Sequence, residues 1–280
     1  MKNFLKRFLP VGVRRLPIVR FLPRILYASS YYNRRYWEIL KWGFRSREDS
    51  NFTYDLTDLN IQYLAWALSV ATRKTYSEIH GYLQEARNDF ELQRHVIEMA
   101  RKPGQAYAAD PRCVFGRRLG WYAVVRAMKP RAVLETGVDK GLGAVLLCSA
   151  LLRNSEEGYD GRYYGTDING EAGYLLCRKY RRFGEILYGD SIQSLKRFRG
   201  TIDLFIHDSD HSAEYEYQEY QTISGKLGRK AIILSDNSHV TDRLAVFSLE
   251  NGRRFLFFPE VPKDHWYPGG GIGISFCVDG

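Results

Sequence analysis

From about residue 116 to the C-terminus, short apolar runs alternate with segments of helical period, and this alternation restricts the fold more than any other feature. The predicted strands are 131–136, 162–167, 185–189, 202–207, 231–235, 253–258 and 272–278. The predicted helices are 117–128, 142–153, 170–182, 191–198, 212–227 and 241–250. Strands that alternate with helices form a parallel sheet covered on both faces, whereas the last two strands, joined without a helix, form an antiparallel hairpin. The pattern therefore predicts a doubly wound α/β fold of the Rossmann-like kind over residues 116–280.

The first 115 residues lie outside this alternation and divide in two. Apolar residues at helical spacing over residues 51–100, with a capping box from Thr75 to Glu78, predict a helical cap spanning 48–115. Residues 1–47 form a basic aromatic arm with twelve lysines and arginines and a single acid, Glu38. Since the whole chain carries +9, the remainder is slightly acidic. The positive charge therefore belongs to the arm and gives the body no electrostatic argument for nucleic acid.

Three partners are open for the arm: an anionic membrane surface, the body of the protein or a partner subunit, and, least favoured, nucleic acid. Pro10, Pro17 and Pro23 are expected to divide its first part into short pieces. The sequence contains no apolar run of the roughly 20 residues that would span a bilayer, and arginines interrupt every candidate signal-peptide core. Four scattered cysteines without metal-ligand spacing indicate a reducing compartment. The expectation is a cytoplasmic protein, peripheral at the membrane if the arm binds lipid.

Polar side chains follow five of the predicted strands at their carboxyl ends, where sheets of this kind bind ligands. These clusters are 135–137, 167–169, 189–191, 208–211 and 236–239. Helix capping explains single members such as Asp190 or Asp208. Acidic or amide groups at all five ends are better explained by one shared site.

The first cluster belongs to the segment RAVLETGVDKG, residues 131–141, which predicts a strand, a glycine turn and a helix start. Asp167, at the end of the second strand, suits the two ribose hydroxyls of an adenosine cofactor. The turn has neither GxGxxG nor GxxxxGK[ST] spacing. These observations predict an adenosine-based cofactor without a pyrophosphate.

Glu135-x-Gly137-x-x-x-Gly141, Asp167, Gly189-Asp190 and the strand ending at Asp208 resemble the class I S-adenosylmethionine-dependent methyltransferases. The resemblance implies a seven-stranded sheet of order 3-2-1-4-5-7-6 with strand 7 antiparallel. It also implies that the glycine turn meets the methionine moiety, Asp167 the ribose and Asp190 the adenine. The cofactor site implied in full is Glu135, Thr136, Gly137, Gly141, Asp167, Ile168, Asp190, Ser191 and Asp208. Asp139 departs from the family pattern, since many members have a glycine there.

A narrower resemblance is to the metal-dependent O-methyltransferases of the catechol and caffeoyl-CoA kind. It implies Mg²⁺ held by Asp208, Asp236 and Asn237, with His211 as the base where the catechol enzymes have a lysine. Methyl transfer to a small-molecule, sugar or lipid-linked hydroxyl is the first hypothesis. A metal-free reaction with His211 or His239 as base, and an inactive module that binds a membrane or partner, are the alternatives.

Overall fold

The computed structural model describes residues 13, 16–48, 50–101 and 113–278. These residues separate into two compact units. The first contains the described residues up to Ser46 together with Asp264–Tyr267, and the second contains the described residues of 47–263 and 268–280.

The first unit consists mainly of one helix of 29 residues, α1, Pro17–Arg45. The prediction that prolines divide this part of the chain is wrong for Pro17 and Pro23, while Pro10 lies outside the described residues. Pro17 stands at the start of the helix, where its missing N–H would have no partner, and Pro23 costs one hydrogen bond inside it. No residue of α1 is buried. Within the described residues, no helix is long and apolar enough to cross a bilayer.

The second unit is built on the predicted seven-stranded sheet. Its strands are β1 Ala132–Thr136, β2 Arg162–Asp167, β3 Gly184–Tyr188, β4 Ile202–His207, β5 Leu227–Asp236, β6 Arg254–Pro259 and β7 Gly271–Phe276. Their order is β3-β2-β1-β4-β5-β7-β6, and β7 is antiparallel to both of its neighbours. The predicted order and hairpin are thus confirmed, and the carboxyl ends of β1 to β5 meet at one edge.

Helices cover this sheet, and four of those in the described residues precede its first strand in the chain. They are α2 Asp58–Thr72, α3 Tyr76–Arg87, α4 Phe90–Ala100, α5 Arg118–Met128, α6 Leu142–Glu156, α7 Ser191–Arg197, α8 Ala213–Ile223 and α9 Arg243–Glu250. The capping box between Thr75 and Glu78 begins α3 as predicted. Helix α5 packs against α2, α3 and α6, so the helical cap and the sheet belong to one compact unit. The boundary that the sequence places near residue 115 falls inside this unit.

The helix predicted at 170–182 does not form. Turns occupy most of this stretch, and a short 3₁₀ helix, Arg178–Phe183, ends it. The reason is that its backbone bonds to the glycine turn after β1: Gly173 N–H donates to the Asp139 carbonyl (2.7 Å) and Leu175 N–H to the Lys140 carbonyl (3.1 Å). A helix would have used these N–H groups internally. The irregular stretch instead fixes the turn that borders the site.

Candidate active site

The turn after β1 brings bare backbone to the edge of the sheet. Gly137 adopts φ +80°, and a Cβ there would overlap the carbonyl oxygen of Asp208. Only glycine allows this close approach of the β1 and β4 ends. Asp139, the departure from the family pattern, adopts φ +47°, a left-handed conformation that aspartate tolerates better than most residues. Its N–H donates to Asp167 Oδ2 at 2.8 Å, so this residue ties the turn to the end of β2.

A cavity of about 620 Å³ opens over the carboxyl ends of β1 to β4. Its lining includes six of the nine residues in the predicted cofactor site: Gly137, Asp167, Ile168, Asp190, Ser191 and Asp208. The structure thus brings together residues that are as far as 71 positions apart in the sequence. Among them are Gly137, Asp167 and Asp190, to which the resemblance assigns the methionine, ribose and adenine parts of the cofactor.

Asp167 and Asp190 each combine a local structural role with a place in the cavity wall. Asp167 accepts the N–H groups of Asp139 and Asn169, one on each carboxylate oxygen. Asp190 caps α7 through the Gln193 N–H and accepts the hydroxyl of Tyr215 at 2.9 Å. Each carboxylate oxygen has two lone pairs, so both side chains retain acceptor capacity toward the cavity. Capping and ligand binding are therefore compatible here.

Three members of the predicted cofactor site do not line the cavity. Glu135 is buried in β1 and accepts the hydroxyl of Tyr163 at 2.5 Å. Burial raises the pKa of Glu135 to about 8 despite this bond, which acts in the opposite direction. Thr136 is buried and donates to Glu219, and Gly141 begins α6 with φ +92°. These residues help to position the β1 turn but do not line the cavity.

Among the residues of the cavity wall that the sequence reasoning missed are Arg118 and Tyr215. Arg118 Nη2 lies 3.6 Å from Asp208 Oδ2, and its guanidinium stands over the ring of Trp121. Its Nε is buried and has no hydrogen-bond partner among the described residues. No motif marks either residue, because Arg118 begins α5 and Tyr215 lies in α8. Only the arrangement of these helices brings them to the strand ends.

Beside the cavity, Arg117 is buried among acidic groups. Its Nε and Nη2 bond to the two carboxylate oxygens of Asp236, while Nη1 bonds to Tyr54 and lies 3.4 Å from Glu260 Oε1. Burial alone would raise the pKa of Asp236, but the charge and hydrogen bonds of Arg117 bring it down to about 2. Asp236 is therefore ionised, and Arg117 neutralises it.

The predicted base and metal ligands lie next to this pair. In the described part of the chain, ligand atoms of Asp208, His211 and Asp236 fall within 4.8 Å of one another. His211 Nε2 is 3.3 Å from Asn237 Nδ2 and 3.9 Å from Asp208 Oδ1. Burial and then the nearby Asp236 carboxylate raise the pKa of Asp208 well above its usual range. Burial also lowers the pKa of His211, which keeps its imidazole neutral near pH 7.

Comparisons with known proteins agree with the fold. A family model described as a methyltransferase domain matches residues 134–238. PaMTH1, an SAH-bound methyltransferase from Podospora anserina, has a TM-score of 0.51 at 16% identity, covering 72% of this chain and 95% of its own. A candidate O-methyltransferase from Klebsiella pneumoniae has a TM-score of 0.52 at 14% identity, covering 66% and 89%. At these identities the structural likeness shows a shared fold. No curated protein sequence matches the chain.

Proposed function

Because this chain carries a methyltransferase domain of the class I, S-adenosylmethionine-dependent kind, we propose that it transfers a methyl group from S-adenosylmethionine to a hydroxyl oxygen. The observation that carries the proposal is the single cavity shared by the Gly137 turn, Asp167, Asp190 and Asp208. The acceptor we propose is the hydroxyl of a small molecule, a sugar or a lipid-linked compound, because an imidazole base, His211, lies beside Asp208 of the cavity wall.

The residues of the cavity fit the parts of the cofactor by their chemistry. Asp167 offers carboxylate oxygens to the two ribose hydroxyls, and Asp190 with Ser191 lies where the adenine would be held. Arg118 adds a cation whose buried Nε has no partner among the described residues. A carboxylate such as that of the methionine moiety would satisfy this donor, since guanidinium groups pair well with carboxylates.

The chain supplies a base for the acceptor hydroxyl in His211. S-Adenosylmethionine supplies an electrophilic methyl group, so the acceptor oxygen must lose its proton as it attacks. His211 is kept neutral by burial, and its Nε2 lies 3.9 Å from Asp208, which lines the cavity, and 3.3 Å from Asn237. A neutral imidazole with this placement can take that proton near neutral pH.

The predicted Mg²⁺ site does not fit the residues as they are arranged. Both oxygens of Asp236 accept hydrogen bonds from the guanidinium of Arg117, which balances the charge of this carboxylate, and a second guanidinium, that of Arg118, lies 3.6 Å from Asp208. A divalent cation among these groups would meet two fixed positive charges, and burial beside Asp236 raises the pKa of Asp208, which makes this carboxyl a poorer ligand for a cation. We therefore favour the metal-independent form of the reaction, in which the arginines balance the buried acids.

The test is formation of S-adenosylhomocysteine with a panel of phenolic, sugar and lipid-linked acceptors. Turnover is expected to be the same in EDTA and in added Mg²⁺. His211→Ala is expected to lower kcat by about 10²- to 10⁴-fold. The exposed His239 is the matched control, and His239→Ala should retain wild-type turnover. Loss of turnover in EDTA with recovery in Mg²⁺ would contradict the metal-free form, and loss in His239→Ala alone would move the base to that residue.

A further inference from the structure

Helix α1 exposes an unusual number of large apolar side chains. No residue of its 29 is buried, although it carries phenylalanines, leucines, isoleucines, tyrosines and tryptophans along its whole length. Ile18 is 81% exposed and Phe44, near the other end, is 89% exposed. Apolar surface of this extent is normally covered by a partner or a membrane.

The apolar and charged residues of α1 lie on different faces. At about 100° per residue, twelve apolar residues fall within a sector of about 160°, which we call the apolar face. They are Ile18, Val19, Phe21, Leu22, Ile25, Leu26, Tyr32, Tyr36, Trp37, Ile39, Leu40 and Phe44. No charged residue shares this face, whose polar members, Ser29 and Asn33, are both neutral.

The opposite face of α1 is strongly basic. Its six cations fall within a sector of about 120° by the same helical geometry, and Glu38 is the one acid of the helix. The cations are Arg20, Arg24, Arg34, Arg35, Lys41 and Arg45. Lysine and arginine side chains at the edge of an apolar face can extend toward lipid phosphates while their alkyl chains remain in apolar surroundings.

The short loop of the first unit contacts the basic side of the helix. Trp42 packs edge-on against Trp266, with ring centroids 5.4 Å apart, and Arg34 lies 3.8 Å from Asp264. By helical geometry both Trp42 and Arg34 lie outside the apolar face. These two contacts of the loop therefore leave that face open.

We propose that the apolar face of α1 binds the surface of an anionic lipid bilayer, with the helix lying in the interface. Three observations select this occupant. The helix has six cations against one acid, which suits anionic headgroups. Tyr32, Tyr36 and Trp37, of the types that favour the headgroup level, lie within the apolar face. The helix is too polar to span the bilayer.

A second copy of the chain is a less suitable occupant. Pairing two α1 helices through their apolar faces would leave the basic faces of both helices pointing outward, without an anionic partner. The apolar face is also much wider than the narrow seam of a two-stranded coiled coil. An anionic lipid surface covers the full width of the face and attracts the flanking cations.

The test is co-sedimentation of the full-length protein with vesicles of phosphatidylcholine containing 30% phosphatidylserine, and with vesicles of phosphatidylcholine alone. The wild type is expected to bind the anionic vesicles at least about tenfold more strongly, and to lose affinity as salt rises from about 0.05 to 0.5 M. Leu22→Ser with Leu40→Ser is expected to weaken binding by about tenfold or more, since two leucines no longer enter the interface.

The control replaces two comparably exposed leucines of the second unit, Leu59→Ser with Leu249→Ser, which should bind as the wild type does. Circular dichroism checks that all variants are folded. Equal binding to neutral and anionic vesicles, no binding at all, or equal loss in both double variants would overturn the proposal. A dimer in sedimentation equilibrium that the Leu22/Leu40 variant abolishes, without vesicle binding, would assign the face to a second copy instead. These outcomes do not depend on methyl transfer.

Discussion

Glu135 shows how one residue can matter to the site without touching it. Its carboxyl is buried in the centre of the sheet, within hydrogen-bond distance of Tyr163 and close to Gly143 of α6. Because burial disfavours the charged form, the pKa rises from 4.5 to about 8 in the folded protein. The protonated carboxyl is therefore the form that the fold accommodates at neutral pH.

This raised pKa predicts a particular dependence of stability on pH. Between about pH 4.5 and 8 the folded protein keeps a proton that the unfolded chain has released. The stabilising contribution is thus complete below pH 4.5 and is lost as the pH rises through about 8. Glu135→Gln cannot ionise and still offers an oxygen to Tyr163, so its melting temperature should rise relative to wild type between pH 5 and pH 9.

The measurement is thermal unfolding of wild type and Glu135→Gln at both pH values, followed by circular dichroism. Glu214→Gln, at an exposed position, is the matched control for the chemical change. A difference in melting temperature between wild type and Glu135→Gln that stays constant from pH 5 to pH 9 would show that Glu135 is not held protonated by the fold.

At the scale of elements, the regular strands and helices were largely predictable from the sequence. The second to fourth strands have compact apolar cores and clear ends, and the structure places them within one residue of the predicted bounds. The stretch 170–182 was not predictable in the same way. Its helical pattern is overridden by hydrogen bonds from Gly173 and Leu175 to the glycine turn, which are distant in sequence. Tertiary contacts of this kind leave no periodic signal.

The glycine turn after β1 gives the sharpest prediction at this scale. Gly137→Ala would place a methyl group against the Asp208 carbonyl, which belongs to backbone and cannot easily move aside. Gly158 also has a positive φ, +86° compared with +80° for Gly137, but a Cβ at Gly158 would meet nothing within 4 Å. Both alanines bear the left-handed strain of about 1–2 kcal/mol, and only Gly137→Ala adds the clash.

Urea denaturation and titration with S-adenosylmethionine measure the two effects. Gly137→Ala is expected to lose more stability than Gly158→Ala and to lose cofactor binding, whereas Gly158→Ala should bind as the wild type does. Equal stability losses and equal binding in the two variants would mean that the close approach of β1 and β4 is not needed for the site.

At the scale of the whole molecule, the sequence predicts which strand ends carry the polar residues of the site. It does not predict which cations neutralise the acidic residues among them. Acidic or amide residues at five strand ends pointed to one site, and the cavity is lined by residues at or just beyond the ends of β1 to β4, while the cluster after β5 does not line it. No sequence pattern indicates that Arg117 forms an ion pair with Asp236. That pairing joins residues 119 positions apart and depends on how α5 packs beside the end of β5. The magnesium hypothesis rests on residue types and strand ends alone, and it stays a prediction.

The central claim, that this cavity binds S-adenosylmethionine, is tested most directly by isothermal titration calorimetry on three proteins. The wild type is expected to bind S-adenosylmethionine, and Asp167→Ala to bind about 100-fold more weakly, because two charge-assisted hydrogen bonds to the ribose are lost. Asp160→Ala removes an exposed aspartate just before β2 and should bind as the wild type does. Thermal melts confirm that each protein is folded. No binding by the wild type, or equal binding by Asp167→Ala and Asp160→Ala, would contradict the assignment of this cavity to the cofactor.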